Sequence, residues 1–481
     1  MPQWKASYDA VVVGAGPNGL SAAITLGQAG LSTLVVEANE SIGGGARTAE
    51  LTLPGFRHDI CSAAHPFALA SPFFRSLNLA RYDLSWVHSP APLAHVLPDG
   101  RAILLEGSVA ATAQALGEDA NAYRDLIQPF VDDHEALLEG VLGGLHVPSD
   151  PFLFARFGLK ALRPLSNLVR TRFKGEDAPA LLAGLAAHAI MPLHAAGTSA
   201  FTLLLAVAAH TLGWPIARGG SQAISQALLA CLREQGGDVV TGVRVDHLQQ
   251  LPQAKAYLLD VAPEHLLRIA GDRLSFRYAA RVQRFQRGPG AFKIDWALSD
   301  GIPWQDDDCR RAATLHLAGN LGQIAEAEAW VARGDVPFEP FVLVVQPSLF
   351  DRTRAPPGAH TAYAYCHVPH GSAVDMREAI ETTIERRAPG FKKLILAHHC
   401  FTAPQLQQHD ANLVGGDIGG GRSSLRQLFF RPTLQLNPYA TSAPDVFICS
   451  SSTPPGAGVH GMCGYWAATK VLQSVFKQKA A

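Results

Sequence analysis

Residues 8–48 are the first stretch in which the pattern of apolar and polar positions predicts defined strands and a helix. Residues 9–13 form a short apolar run, of the length typical of a buried parallel strand. A stretch with helical spacing follows and ends near Gly30, where a left-handed residue can close a helix. A second apolar run covers residues 34–36. The pattern predicts a strand, a helix and a second strand at the start of a parallel sheet.

The turn between the first strand and the helix carries G-x-G-x-x-G at Gly14, Gly16 and Gly19. In this setting the first glycine forms the tight turn, the second lets a diphosphate approach the backbone, and the third lets the helix pack against the sheet. Glu37 ends the second strand, 18 residues beyond Gly19, where a carboxylate accepts hydrogen bonds from a ribose. The free N–H groups and the dipole at the helix start favour the diphosphate. The sequence therefore predicts a dinucleotide site.

A second glycine-rich turn, residues 43–48, follows the acid and contains Arg47. It resembles the extension of glutathione-reductase-type flavoproteins, which faces the diphosphate and the flavin, and so it favours FAD over NAD. A surface loop with a solvated arginine is the alternative interpretation of this segment.

The chain changes character after residue 150. Residues 152–174 carry six cations and no acid, and residues 178–217 carry no Asp, Glu, Lys or Arg. Pro192 and Gly197 interrupt the uncharged part, so no apolar run reaches the length of about 20 residues that a spanning helix needs. We expect buried helices of a cap domain. The basic part favours contact with a membrane surface through Phe152, Phe154, Phe157, Leu159 and Leu162. An ordinary lid is the alternative.

The last third of the chain predicts a second sheet and a second anion site. Strand patterns at 282–300, 341–345 and 361–367 indicate the sheet. A strand at 445–449 and a glycine-rich turn at 454–462 lead into a helix predicted over 463–477. The start of such a helix offers backbone donors to the charge that develops near N1 and O2 of a reduced flavin.

Both glycine motifs, together with residues 364–369 and 412–418, resemble those of the phytoene-desaturase-like FAD oxidoreductases. The similarity is greatest to the branch named after pyridine nucleotide-disulfide oxidoreductase domain-containing protein 2, and it extends over nearly the whole chain. It implies an α/β fold in which a glutathione-reductase-type Rossmann FAD-binding domain is interleaved with a mixed-sheet plus helical-cap substrate domain. The chain departs from the family pattern at residues 247–253, because this stretch is too short for the β-meander usual in the family.

The resemblance also implies the residues that hold the cofactor. These are Gly14, Gly16, Pro17, Asn18, Gly19, Glu37, Ala38, Gly44, Arg47, Thr48, Val245, Gly458, Val459, His460, Gly461 and Met462. Val245 is expected to contact adenine through its backbone, and the loop 458–462 is expected to lie along the flavin.

We expect an FAD-dependent dehydrogenase or desaturase that moves a hydride between a carbon of an apolar substrate and flavin N5. Lys293 and His460 are the candidate catalytic residues. Lys293 is chosen by analogy with a lysine that holds a water near N5 in related amine oxidases. The alternative is that Lys293 is an ordinary surface lysine. A flavin amine oxidase is the second hypothesis, although the position just before the terminal glycine motif lacks the aromatic residue those enzymes have. A non-catalytic flavin-binding interaction protein is the third.

Length and composition set the remaining expectations. A chain of 481 residues predicts two domains, an FAD-binding one at 1–67, 215–281 and 425–481 and a substrate and cap one at 68–214 and 282–424. A net charge of −1 argues against nucleic-acid binding. Seven cysteines without a C-x-x-C pair indicate reduced thiols, and no metal site is expected. The apolar strand starts almost at the N-terminus, so a cytoplasmic protein is expected, with peripheral membrane contact and a homodimer left open.

Overall fold

The computed structural model describes residues 4–144 and 149–478. The strands, in chain order, are β1 (Ser7–Val13), β2 (Thr33–Val36), β3 (Thr48–Ala49), β4 (His58–Asp59), β5 (Trp86–Val87), β6 (Ala91–Val96), β7 (Ala102–Leu105), β8 (Ile216–Ala217), β9 (Asp238–Val240), β10 (Gln253–Leu259), β11 (Gly290–Leu298), β12 (Ala312–Leu317), β13 (Val342–Val345), β14 (His360–Val368), β15 (Ile395–Phe401) and β16 (Val446–Ile448).

The helices connect and cover these strands. In chain order they are α1 (Pro17–Gln28), α2 (Pro66–Ala70), α3 (Pro72–Ser76), α4 (Val109–Ala115), α5 (Ala120–Asp132), α6 (His134–Leu142), α7 (Pro151–Ala161), α8 (Leu165–Arg170), α9 (Asp177–Ala187), α10 (Thr198–Thr211), α11 (Gln222–Glu234), α12 (Pro263–Ala270), α13 (Phe276–Val282), α14 (Leu321–Arg333), α15 (Arg377–Glu385), α16 (Phe391–Leu394), α17 (Ala403–His409), α18 (Leu425–Phe429) and α19 (Met462–Val471).

A five-stranded parallel sheet holds the first motif. Its strand order is β16-β10-β1-β2-β9, and β1 lies at its centre. Val12 is in register with Val35 of β2 and with Leu258 of β10, and all three side chains are buried. A strand covered on both faces needs apolar residues at consecutive positions, which is why residues 10–13 read as an unbroken apolar run. The predicted α/β fold with a Rossmann-type unit is confirmed.

A seven-stranded mixed sheet forms the second layer, in the order β15-β11-β14-β13-β12-β6-β7. Neighbouring strands are antiparallel except β12 and β6, which run parallel. Side chains alternate along β11: Ile294 and Trp296 pack in an apolar core on one face, whereas Lys293 and Asp295 lie on the other. The sheet therefore presents polar side chains on the face opposite that core.

The uncharged stretch forms the buried helices α9 and α10, as expected. In the part of the chain that the structure describes, no helix is long and apolar enough to cross a bilayer. The basic stretch forms α7 and α8, with Phe152 and Leu159 exposed by 89% and 78%. Phe157, by contrast, packs edge-on against Phe130 and is buried. The expectation that all five apolar residues face a membrane is wrong for Phe157, because its turn of the helix faces α5.

The segment after β9 contains no β-meander, in agreement with the short stretch seen at residues 247–253. Residues 243–245 form no strand, and Leu248–Gln250 is a single 3-10 turn capped through His247 and Gln250. Val243 instead donates its N–H to the backbone oxygen of Glu37. The chain therefore returns directly from β9 past the end of β2 to β10, in place of a β-meander.

Candidate functional site

The start of α1 is the first part of the site. Gly16 is the N-cap and Pro17 the first helical residue, and no side chain caps this end. Gly14 has φ +103°, and a Cβ there would stand 2.8 Å from the backbone oxygen of Asp260. A Cβ at Gly19 would stand 2.0 Å from the backbone oxygen of Gly14. Close backbone packing thus requires glycine at the first and third positions, and the positive end of the α1 dipole carries no side-chain cap among the described residues.

The second glycine turn lies against the first. A Cβ at Gly44 would stand 3.2 Å from the Cα of Gly16. Arg47 is buried; its Nε donates to the backbone oxygen of Gly44 (2.8 Å) and its Nη2 to that of His409 (2.9 Å). The alternative of a solvated surface arginine is therefore wrong, because the guanidinium is held inside the turn. Thr48 donates its hydroxyl to Asp59 (2.8 Å) and so fixes the end of this segment.

Glu37 connects the end of β2 to the same turn. Its Oε2 accepts from the N–H of Ala15 (2.7 Å), and its Oε1 accepts from the N–H of Asn39 (2.9 Å). The carboxylate is buried at this position, whereas Ala38 is exposed. Val245 is also buried, in the core that contains Val36 and Val11. The structure thus places Glu37, Ala38 and Val245 at one end of the parallel sheet.

Asp260 is a site residue that the sequence interpretation missed. It follows β10, and its Oδ2 accepts from the N–H of Gly19 (2.8 Å). Burial raises the pKa of Asp260 to about 8, helped by the charges of Asp410 and Glu37 and opposed by the Gly19 hydrogen bond. The available signal was that Asp260 ends an apolar strand run just as Glu37 does, and parallel strands end at the same sheet edge.

The C-terminal motif packs directly on the first one. Gly461, with φ +69°, is the N-cap of α19, and a Cβ there would stand 2.1 Å from the hydroxyl of Ser21. A Cβ at Gly464 would stand 1.8 Å from the backbone oxygen of Asn18. The two glycines therefore let the starts of α1 and α19 touch, and they bring residues 14–19 and 458–462 together. The helix is shorter than predicted, since it ends at Val471 and continues as a π-helical turn.

His460 is buried within this junction. Its Nδ1 accepts from the N–H of Met462 (3.0 Å), and its backbone oxygen accepts from the hydroxyl of Ser71 (2.7 Å). Burial lowers the pKa of His460 to about 4, so the imidazole is neutral at pH 7. Gly458 curves around the ring, since a Cβ there would stand 2.9 Å from Cδ2 of His460. The geometry gives His460 a capping contact at α19, and its catalytic role stays a prediction.

Lys293 lies on the polar face of the seven-stranded sheet. It is 3% exposed, and its Nζ donates to the Asp295 carboxylate at 2.5 Å. The same Nζ stands 4.4 Å from the centre of the Tyr363 ring, and Asp295 stands 3.6 Å from Nδ1 of His58. Burial raises the pKa of Asp295 to about 6 although the positive charge of Lys293 opposes the rise. The alternative of a surface lysine is wrong.

Cys61 connects this pair to the second glycine turn. A Cβ at Gly45 would stand 3.6 Å from the Cβ of Cys61. The charges of Lys293 and Arg47 both lower the pKa of the Cys61 thiol, although burial raises it to about 11. The buried lysine therefore lies within electrostatic reach of the glycine-turn segment.

These residues fit a bound dinucleotide diphosphate. A Cβ at Gly16 would stand 3.1 Å from Oδ2 of Asp260 and 3.9 Å from the Cα of Gly44, so a side chain there would fill the cleft between the two turns. Among residues 4–144 and 149–478, no group of three or more His, Cys, Asp or Glu side chains could hold a metal ion. All seven cysteines are free thiols.

Comparison with known proteins agrees with this geometry. Residues 12–77 match the family model described as NAD(P)-binding Rossmann-like domain. Pyridine nucleotide-disulfide oxidoreductase domain-containing protein 2 of Mus musculus is 27% identical, over 98% of this chain and 94% of its own length. Phytoene desaturase (lycopene-forming) of Pantoea ananas is 24% identical, over 96% and 98% of the two chains.

Solved structures share the fold over the whole length. An oxidoreductase from Methanosarcina mazei has a TM-score of 0.65 at 15% identity and covers 96% of this chain and 99% of its own. Putrescine oxidase has a TM-score of 0.62 at 17% identity, with 97% and 99% covered. The resemblance seen in the two glycine motifs is confirmed: over nearly its whole length this chain is similar to pyridine nucleotide-disulfide oxidoreductase domain-containing protein 2 and to phytoene desaturase.

Proposed function

We propose that this protein is an FAD-dependent dehydrogenase or desaturase that removes a hydride from a C–H bond of an apolar small molecule. The observation that carries the proposal is the contact between Gly16 and Gly44 at the start of α1, joined there by the start of α19. Three backbone segments therefore converge on a single position, as a long dinucleotide requires. The name of one relative, phytoene desaturase (lycopene-forming), supports the choice of substrate class.

The residues of the chain have separable roles in this proposal. The residues that would hold FAD are those of the two glycine turns, Glu37 and the loop 458–462, and bound FAD supplies the hydride acceptor, N5. The dipole of α1 offsets the diphosphate charge. Arg47 keeps the second glycine turn in place through its hydrogen bond to the backbone oxygen of Gly44. The neutral ring of His460 orders the start of α19. Lys293 holds a water near the reacting atoms, and the hydrogen bond from its Nζ to Asp295 fixes its position.

We also propose the domain division predicted above. In its support, β1, β2, β9, β10 and β16 all come from the segments 1–67, 215–281 and 425–481. The strands of the seven-stranded sheet all come from the segments 68–214 and 282–424. Helices α9 and α10 would form the cap over the substrate.

The first experiment measures FAD in the purified protein. We expect stoichiometric FAD in the wild type and none in Gly16→Val, because a Val side chain would fill the cleft between the two turns. Gly158→Val is the matched control, since nothing lies within 4 Å of a Cβ at Gly158. Stoichiometric FAD in Gly16→Val would refute the assignment of the cofactor site.

The second experiment follows flavin absorbance anaerobically with polyenes, apolar alcohols and secondary amines. Bleaching by polyenes or alcohols is the expected result. Bleaching by amines alone would replace the proposal with the flavin amine oxidase, and a protein that holds FAD but bleaches with none of them would be the non-catalytic alternative.

We further propose a cytoplasmic protein that touches membranes through α7. The exposed Phe152 and Leu159 lie seven residues apart and so on one side of the helix, close to Lys160. In flotation with anionic liposomes at low salt, the wild type is expected to float and Phe152→Ser/Leu159→Ser to stay at the bottom. Equal flotation of both proteins would reject α7 as the contact. Light scattering of the same samples tests for a homodimer.

A further inference from the structure

A basic cleft lies on the surface between α13 and the segment 424–434, outside the residues assigned to FAD. Its volume is about 250 Å³. Arg281, Arg284 and Arg426 line it together with Gln427 and Thr433. Three arginine residues thus line one small opening.

The three cleft arginines carry charges that the protein does not neutralise. In the part of the chain that the structure describes, none of their side chains makes a hydrogen bond or an ion pair. Nearby arginines outside the cleft are paired: Arg273 with Asp445 and Arg287 with Glu264. All three arginines are exposed, so their charges remain available to an anion that binds between them.

The lining supplies a hydroxyl that lacks a partner. Thr433 is 4% exposed, and its Oγ1 is buried without a hydrogen-bond partner. A buried hydroxyl normally has a partner, because leaving it without one costs free energy. An anion in the cleft would accept from the arginines, and the lining residue Thr433 has a hydroxyl without any other partner among the described residues.

The wall of the cleft is rigid. The side chain of Gln427 accepts from the N–H of Gln286 (2.8 Å) and donates to the backbone oxygens of Gln286 (2.8 Å) and Arg422 (3.1 Å). These bonds tie α13's C-terminal segment to the segment that carries Arg426. The arginines are therefore presented from two fixed sides of one opening.

The cleft is connected to the terminal glycine motif through Arg431. The buried Arg431 donates from Nε to the backbone oxygen of Gln427 (2.8 Å) and from Nη1 to that of Ser451 (3.2 Å). A Cβ at Gly456 would stand 3.3 Å from the same Nη1. One side chain thus spans from the cleft wall to the turn that leads into α19.

We propose that this cleft is a binding site for a phosphate-bearing anion, either a soluble phosphate ester or the headgroup of an anionic lipid. Guanidinium groups match phosphate oxygens in charge and in paired N–H geometry, and Thr433 adds a neutral donor. Phe430 and Leu434 line the same opening and are exposed, so the apolar part of an amphiphilic phosphate has a surface to cover. The proposal is independent of the reaction, since the cleft residues are outside the FAD set.

The test uses the FAD-loaded protein, so that the dinucleotide site is filled, and titrates it with inorganic pyrophosphate by calorimetry. We expect affinity to fall about tenfold or more in Arg281→Ala/Arg284→Ala and to weaken with salt, because charge-assisted hydrogen bonds are lost. Thr433→Val should weaken it by a smaller factor. Arg233→Ala, at an exposed arginine of α11, is the matched control and should bind as the wild type does.

Vesicles distinguish the two sources of phosphate. Phosphatidylcholine vesicles with and without phosphatidic acid are compared for the wild type, the double variant and the control. Loss of phosphatidic-acid-dependent binding in the double variant alone identifies a lipid headgroup; pyrophosphate binding without any vesicle difference identifies a soluble phosphate ester. The proposal is overturned if the double variant, with its FAD content intact, binds both pyrophosphate and vesicles as the wild type does.

Discussion

Replacing Lys293 by methionine tests the buried ion pair on the polar face of the seven-stranded sheet. Met keeps most of the length of the lysine side chain but removes its charge. Asp295 is fully buried and would keep only the contact with His58, which burial holds neutral by lowering its pKa to about 3. The variant therefore strands a carboxylate in the protein interior.

The expected loss follows from the burial of both partners. Removing one partner of a buried pair costs about 3–5 kcal/mol, because the remaining charge is uncompensated. The surface pair of Lys255 and Asp9 provides the comparison: Lys255 is 67% exposed, and such pairs contribute only about 0–1 kcal/mol. Lys293→Met should therefore destabilise the protein several times more than Lys255→Met.

The pH dependence identifies the stranded group. The pKa of Asp295 is already raised to about 6 in the folded protein, and loss of Lys293 raises it further. A carboxyl with a raised folded pKa contributes stability at low pH that is lost as the pH rises through that pKa. Below about pH 6 the carboxyl is largely neutral in both proteins, so the deficit of the variant is small there and grows above it.

The assay is urea unfolding followed by tryptophan fluorescence at several pH values. Lys293→Met/Asp295→Leu should regain most of the lost free energy of unfolding, because it leaves no buried charge. A Lys293→Met protein no less stable than Lys255→Met, at every pH, would refute the buried pair. Flavin reduction and reoxidation rates in Lys293→Met then test the catalytic role: unchanged rates would leave Lys293 a structural residue.

Two further predictions concern the dinucleotide turn. FAD affinity, measured by flavin fluorescence, should fall as the pH rises through about 8, because Asp260 then ionises beside the diphosphate. In Asp260→Asn the affinity should stay constant across this range. An equal fall in both proteins would show that Asp260 does not cause the pH dependence. Gly464→Ala should lower the free energy of unfolding in urea by about 1–3 kcal/mol and reduce FAD content, because its Cβ would stand 1.8 Å from the backbone oxygen of Asn18. Gly158→Ala, with open space around its Cβ, should be neutral or stabilising. Equal stability of the two variants would contradict the close packing of α1 and α19.

The sequence alone determined the parts of the protein whose physics is local. The strand, glycine turn and helix of residues 8–30 are contiguous in the chain. Their apolar periodicity and the glycines required at positions 14 and 19 can therefore be recognised from the sequence pattern alone. The uncharged composition of residues 178–217 likewise predicted buried helices. The related-family motif then indicated FAD, since two glycine turns and an acid have few other uses together.

The tertiary structure alone decided which charged groups are buried and what they face. Lys293 alternates with apolar residues along β11, and such a pattern reads equally well as a strand with one face in water. Whether that second face is covered depends on elements far away in the chain. The same holds for Asp260, which meets Gly19 across 241 positions, and for the cleft arginines, which come from two separate segments. Burial and charge pairing are properties of surfaces brought together by folding, so they leave no local pattern in the sequence.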